Sequence, residues 1–277
     1  MRSTASCASP SCPRRADLRA APRRLQGPNN PGRTVTDAHP TDLHPTDVIR
    51  APDVPRVPVR GGGSFPVRRI YCVGRNFADH AREMGATAPA SKAERGVPVF
   101  FMKPADAIVI DEVVPYPSGT SDLHHEVELV VAIGRDAPAG VLPLEQAPAL
   151  VFGYTVGLDL TRRDLQAAAK AKGLPWDTAK GFDHSAPIGP LVPAAEAGDI
   201  DTRSLSLRVN GELRQQAPLT DLIWDVADIL HELSKLYALR AGDLVFMGTP
   251  AGVAALQPGD GFEASLDGIA TLRGRID

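Results

Sequence analysis

In the octapeptide Leu123-His124-His125-Glu126-Val127-Glu128-Leu129-Val130, two glutamates stand two residues apart among apolar neighbours. Read as a strand, the two-residue period puts both carboxylates on one face and Val127 and Leu129 on the other. Their Cα atoms would then lie roughly 6.6 Å apart, where like charges repel by about 2 to 3 kcal/mol at an effective dielectric constant of about 20. Either water screens them, as on the solvated face of an antiparallel strand, or a cation sits between them. A third carboxylate, Asp159, ends the otherwise apolar run Val151-Phe152-Gly153-Tyr154-Thr155-Val156-Gly157-Leu158. An unpaired carboxylate in a buried strand costs several kcal/mol, so Asp159 either caps the helix that follows or takes a cation. Two Glu and one Asp are hard oxygen donors, a set that selects magnesium, manganese or calcium over zinc.

A second grouping suits proton transfer. Over Arg75 to Gly85, Asn76 is placed as an N-cap and Gly85 as a stop, which leaves a helix of about two turns. His80 and Glu83 stand at i and i+3 on one face of it, so the carboxylate can orient the imidazole and raise its basicity, unless the pair is an ordinary surface contact. Ala86 to Gly96 is a loop of small and charged residues that would let this helix move as a lid.

The elements that must position these groups are short. Apolar runs at Arg69 to Val73, Val97 to Met102, Val127 to Ile133 and Leu244 to Met247 read as strands between Gly/Pro turns. Helical periodicity is confined to Phe77 to Met84, Arg163 to Lys172 and Leu219 to Tyr237, too few helices for a regular βαβ succession, so the body is α+β with mixed sheets. It begins at Gly61. Residues 1–60 hold ten of the 26 prolines and ten Lys/Arg against five Asp/Glu, a composition that predicts a disordered N-terminal extension; an organelle transit peptide is the lesser alternative. The Gly61 to Gly63 run reads as a linker, since no strand precedes it to make a phosphate loop.

The 277-residue chain carries a formal net charge of -3, with 20 Lys/Arg against 28 Asp/Glu after residue 60. So acidic a body argues against a nucleic-acid partner and suits a site that collects a divalent metal. Three cysteines, two of them in the extension, make no disulfide framework, and no run is apolar enough to span a membrane. A reducing cytoplasm is the expected compartment.

Taken together, Cys72-Val73-Gly74-Arg75-Asn76-Phe77-Ala78-Asp79-His80, His124-His125-Glu126-Val127-Glu128-Leu129, Gly157-Leu158-Asp159-Leu160-Thr161-Arg162-Arg163-Asp164 and Gly248-Thr249-Pro250-Ala251-Gly252-Val253, in this order over Phe65 to Ile276, resemble the fumarylacetoacetate hydrolase family. The resemblance implies a mixed β-sandwich roll, a homodimer, and Glu126, Glu128 and Asp159 as ligands of one Mg2+ (or Mn2+). It makes His80 and Glu83 the pair that activates water and Lys180 the cation at the reacting atoms; from the residues alone, Lys180 reads as a solvated surface lysine. It places Gln166 near the oxo acid, with Arg163 structural, and gives the substrate carboxylate to Thr249 and Arg75. The segments Leu160 to Gln166 and Gly173-Leu174-Pro175-Trp176 are most similar to the acylpyruvate and fumarylpyruvate hydrolases. The implied function is hydrolysis of a carbon–carbon bond in a small 2,4-dioxo acid. Alternatives are decarboxylation of oxaloacetate, isomerisation of an unsaturated dioic acid, and, in another class, non-catalytic metal-dependent binding.

Overall fold

The computed structural model describes residues 48–83, 85, 87, 89 and 91–277. Its middle strand is Val127–Ile133, and all seven of its residues are buried, so it has no solvated face. Val127, Leu129, Val131 and Ile133 enter one apolar cluster, Val130 and Ala132 another, as two-residue alternation requires of a strand covered on both sides.

This strand belongs to a six-stranded sheet in the order Val192–Pro193, Val151–Leu158, Val127–Ile133, Asp243–Phe246, Arg69–Gly74, Val99–Lys103. Asp243–Phe246 runs parallel to Arg69–Gly74, while the other neighbours pair antiparallel. A second sheet is ordered Glu212–Pro218, Ser204–Val209, Gly261–Leu266, Ala270–Ile276, Val113–Val114. Its Leu205, Leu207, Phe262, Ala264, Leu266 and Leu272 join Val127 and Leu129 in one cluster, so the two sheets share a core as in a sandwich. Val57, Phe65, Val67, Ile188 and Leu191 cover the opposite face. The expected α+β fold with mixed sheets is the one observed.

Three short helices carry candidate groups: α1 (Ala78–Glu83), α2 (Arg163–Ala171) and α3 (Asp177–Lys180). In the first turn of α2, the Asp164 carboxylate accepts from Leu165 N at 2.8 Å and from Thr120 Oγ1 at 2.6 Å, pinning the start to the preceding loop. The long helix expected over Leu219 to Tyr237 is shorter, Val226–Ser234, because Asp225 caps it by accepting from Asp228 N at 2.8 Å.

The expected boundary at residue 60 moves. Residues 1–51 and 52–277 form separate units, and of the first only 48–51 are described, all exposed; residues 1–47 of the expected extension lie outside the described residues. Arg56–Pro58 is a strand of the body, paired antiparallel with Ser64–Pro66 and burying Val57 completely. Gly61 to Gly63 is the turn of that hairpin rather than a linker, with Gly62 N donating to Val59 O at 3.0 Å. Burial of Val57, together with bonds from Leu191 N to Pro58 O and from Arg60 N to Leu191 O, both 2.8 Å, holds this segment to the body despite its Pro-rich composition. Among the described residues no helix is long and apolar enough to cross a membrane.

Candidate metal and acid-base centre

The glutamate strand is not continuous. Leu123–His124 pairs with Thr161–Arg162 and Ala255–Leu256, and the chain re-enters the large sheet only at Val127. Glu126 sits at that break, where its carbonyl accepts from Asp159 N at 2.8 Å, so one backbone bond ties two of the carboxylates together. Glu126, Glu128 and Asp159 are 5%, 1% and 0% exposed, and one oxygen from each lies within 4.8 Å of the others. The reading as a solvated strand face is thereby overturned. So is Asp159 as a helix cap: its side chain meets no backbone N–H of α2.

Burial of three like charges demands counter-charge. Lys180 Nζ donates to Glu126 Oε2 at 2.7 Å and to Asp159 Oδ2 at 2.6 Å. Lys103 Nζ lies 2.8 Å from Asp159 Oδ1 and donates to Leu160 O at 3.0 Å, while Arg163 Nη2 donates to Glu126 Oε1. Lys180 is 3% exposed and thus no surface lysine. Burial alone would lower its ammonium's pKa and raise that of Glu126. The mutual attraction wins in both cases, with Asp159 and Glu126 raising Lys180 and with Lys180 and Arg163 holding Glu126 below the carboxylate range.

Glu128 is treated differently. Among the described residues no Lys, Arg or His pairs with it; it accepts from Gly248 N at 2.8 Å. Burial, then the charges of Asp159 and Glu126, push its carboxyl well above the ordinary range. The cations around the centre are thus all spent on Glu126 and Asp159. A carboxylate oxygen that accepts one bond still keeps a lone pair for an ion. Three buried hard-oxygen donors in mutual reach, one of them without a cationic partner, fit a magnesium- or manganese-sized divalent ion.

His80 is 6% exposed on α1, its Nδ1 3.1 Å from Glu83 Oε2, and Gly252 N reaches the other Glu83 oxygen at 3.2 Å. An ionised carboxylate only accepts, so Nδ1 carries the proton and Nε2 is the free base. Helix α1 has too few residues to stand alone; Phe77 (1% exposed) and Asn76 (0%) anchor it. Asn76 is no N-cap. Its Nδ2 donates to Met247 O at 2.8 Å and Trp224 O at 3.0 Å, and its Oδ1 accepts from Trp224 N at 2.8 Å. Of the loop expected as a lid, the described second half is tied down: Arg95 Nη1 pairs with Asp228 at 2.5 Å, and its guanidinium lies 3.9 Å over Trp224.

These groups meet in one cavity of about 370 Å³, lined by Arg75, His80, Glu126, Glu128, Gln166, Lys180 and Thr249 among others. All the predicted site residues except Asp159 and Glu83 line it, and those two touch residues that do. Arg75 stands at φ 58°, a left-handed conformation rare for a non-glycine residue. Val99, Phe101 and Trp176 form an apolar wall, the two rings 5.1 Å apart edge to face.

Several functional residues escape sequence reasoning. Lys103 is the polar end of an apolar run, the one available signal, and Lys170 lies at the cavity beside Arg75. Arg163 also lines the cavity, where it donates to Glu126, to Gln166 Oε1 at 2.6 Å and to His124 Nδ1 at 3.3 Å. His124 in turn sits 2.9 Å from Asp122 Oδ1, and burial, then Arg163, lowers the pKa of its imidazole.

The family described as Fumarylacetoacetate (FAA) hydrolase C-terminal matches residues 69–277. The chain is 42% identical over 206 residues to oxaloacetate tautomerase YcgM of Escherichia coli (strain K12), covering 74% of this chain and 90% of that protein. It resembles a crystal structure of fumarylpyruvate hydrolase from Pseudomonas aeruginosa in complex with Mn2+ and pyruvate at 47% identity and TM-score 0.76, covering 82% of this chain and 97% of that one. A putative fumarylpyruvate hydrolase from Burkholderia cenocepacia matches at 50% identity and TM-score 0.75, covering 83% and 97%.

Proposed function

Because the chain belongs to the fumarylacetoacetate hydrolase family, we propose that it is a divalent-metal-dependent hydrolase of a short acylpyruvate such as fumarylpyruvate, releasing pyruvate and a carboxylic acid. The observation that carries this reading is the buried carboxylate triad, with Glu128 lacking a cationic partner among the described residues, beside a His–Glu pair at one cavity. Glu126, Glu128 and Asp159 would hold Mg2+ or Mn2+, which supplies Lewis-acid contact to the oxygens of a 2-oxo acid. The Mn2+ and pyruvate of the Pseudomonas aeruginosa relative support that choice.

The protein's own groups divide the remaining work. Thr249, Gln166 and Arg75 bind and orient the oxo acid. His80, through Nε2, takes a proton from water, and the hydroxide adds to the distal carbonyl. Scission of the carbon–carbon bond then expels a pyruvate enolate, whose charge the Lys180 ammonium offsets until the proton that His80 took from water is returned to carbon. A positioned base contributes about 10² to 10⁴ in rate, and pre-placed cations at the developing charge contribute more. The apolar wall of Val99, Phe101 and Trp176 suits the acyl chain, and the cavity leaves space for that chain and a water beyond a four-carbon acid.

A second reading is favoured by the 42% identity to an oxaloacetate tautomerase: the same dyad moves a proton between carbon and oxygen of oxaloacetate, with no attacking water. The test is a parallel assay of fumarylpyruvate, acetylpyruvate and oxaloacetate with Mg2+. Pyruvate release is followed with lactate dehydrogenase and enol conversion by ultraviolet absorbance. Pyruvate from an acylpyruvate supports hydrolysis; enol conversion of oxaloacetate without pyruvate from either acylpyruvate would replace it with the second reading.

A further inference from the structure

The strand Glu212–Pro218 is exposed along most of its length, yet Gln215 within it is 1% exposed. It crosses from the second sheet to the loop that carries Thr249, which comes so close that a Cβ on Gly252 would lie 2.1 Å from Arg214 O. The orientation of the Gln215 amide is fixed by backbone groups at both ends. Oε1 accepts from Val127 N at 3.1 Å, and an N–H can only donate; Nε2 donates to Pro250 O at 2.8 Å, and a carbonyl can only accept. Two further contacts then have their direction set. His125 Nδ1, 2.9 Å from Oε1, carries the proton, and Thr249 Oγ1, 2.8 Å from Nε2, is an acceptor. The Thr249 hydroxyl proton therefore points elsewhere. Thr249 lines the cavity and makes no other side-chain bond among the described residues.

We infer that Gln215 is a positioning residue that holds Thr249 as a hydrogen-bond donor toward the carboxylate of the bound oxo acid. This rests on the proposed reading of the cavity as a 2-oxo acid site. Its physical content is a constraint on direction: a hydroxyl that must accept from an amide has only its proton to offer the cavity, and a carboxylate is the complement of that donor. Val127 N and Pro250 O belong to the glutamate strand and the Thr249 turn, so the same amide also sets the spacing between those two walls of the cavity.

Gln215→Glu keeps the shape and the acceptor for Val127 N but reverses the other end, so Thr249 must donate to residue 215 and loses its bond to the substrate. For the Mn2+-loaded protein, pyruvate titrated calorimetrically should bind about 10- to 100-fold more weakly, the range for one hydrogen bond to a charged group. In turnover KM should rise with kcat unchanged, since the carboxylate is held alike in ground and transition states. Thr249→Ala should cost as much, and adding Gln215→Glu to it should cost nothing more. Gln215→Met, of matching length and with no hydrogen bonds, serves as the second variant and should show the same non-additivity. Losses that multiply in the double variants, or pyruvate binding by Gln215→Glu equal to that of the unsubstituted protein, would overturn the assignment. If the unsubstituted Mn2+ protein binds no pyruvate, the reading of the cavity itself falls, and the role of Gln215 with it.

Discussion

Lys180→Met removes the ammonium that faces both Glu126 and Asp159 while nearly keeping the side chain's length and apolar stem. In the metal-free protein those carboxylates, 5% and 0% exposed, would keep only Arg163 and Lys103 against three clustered acids. Removing one partner of a buried pair costs about 3 to 5 kcal/mol. At about 2 to 4 °C per kcal/mol for a body of this size, the melting temperature in EDTA should fall by about 6 to 20 °C. A divalent ion restores the missing charge and no longer competes with an ammonium 2.6 Å from its ligand. The Mg2+-induced rise, about 2.7 kcal/mol at a hundredfold excess over Kd, should therefore be larger in the variant than in the unsubstituted protein. The assay is thermal unfolding by fluorescence across a Mg2+ series from an EDTA baseline. Lys172→Met, an exposed position, serves as the control and should shift stability by less than about 0.5 kcal/mol. Unchanged melting in EDTA, or equal Mg2+-induced rises in both proteins, would refute the charge argument and with it the assignment of the triad. Turnover should be lost in either case.

His80→Ala should lower pyruvate release from an acylpyruvate by about 10² to 10⁴, and any decarboxylation of oxaloacetate, which needs no activated water, far less; equal losses would make His80 a binding group. Lys170→Ala, which removes a cation at the cavity beyond the triad, should raise KM about two- to fivefold for fumarylpyruvate, which ends in a second carboxylate, and leave acetylpyruvate unchanged. A common effect on both substrates would place it elsewhere in the reaction. Deleting residues 1–60 should lower the melting temperature, because burial of Val57 alone is worth about 1.5 to 3 kcal/mol. A truncation that begins at Pro52 keeps that strand, so matching melting temperatures for the two truncations would refute the role given to the hairpin.

The sequence is most legible where one physical demand dominates. Val127–Ile133 is apolar at nearly every position and β-rich, and it forms the strand expected; Asp159, a lone carboxylate closing an apolar run, had to be compensated, and it is. The His80–Glu83 spacing survives because i,i+3 neighbours depend on local geometry alone. What could not be read depends on which distant segment arrives. Whether Lys180 is buried turns on α3 packing its ammonium against residues more than 20 positions away, and Lys103 and Gln215 pair across 57 and 88 positions. Asn76 has the type and place of a cap, but tertiary acceptors at Met247 and Trp224 outcompete the local helix end. Composition misled at Arg56–Pro58, where two prolines flank the one side chain that the core takes in.

The register explains why these distant groups converge. Phe246 pairs with Cys72 in parallel and with Val130 in antiparallel fashion, and Val127 pairs with Leu158. The ends of Arg69–Gly74, Asp243–Phe246 and Val151–Leu158 therefore lie together with the start of Val127–Ile133 on one edge of the sheet. Arg75, Met247, Asp159 and Glu126 are the first residues to leave that edge, with Gly248 and Thr249 directly after Met247, so each is fixed by a hydrogen-bonded strand behind it. Groups that stabilise charge gain most from such fixity, since they spend no reorganisation during reaction. The base is mounted differently, on the six residues of α1, which depend on Asn76 and Phe77 for their position. Rigid electrostatics and a separately anchored base imply that loosening α1 should slow proton transfer while leaving metal affinity intact. Phe77→Ala distinguishes the two: reduced turnover with unchanged Mn2+ affinity follows from this division, and a parallel loss of both would show that α1 also holds the triad together.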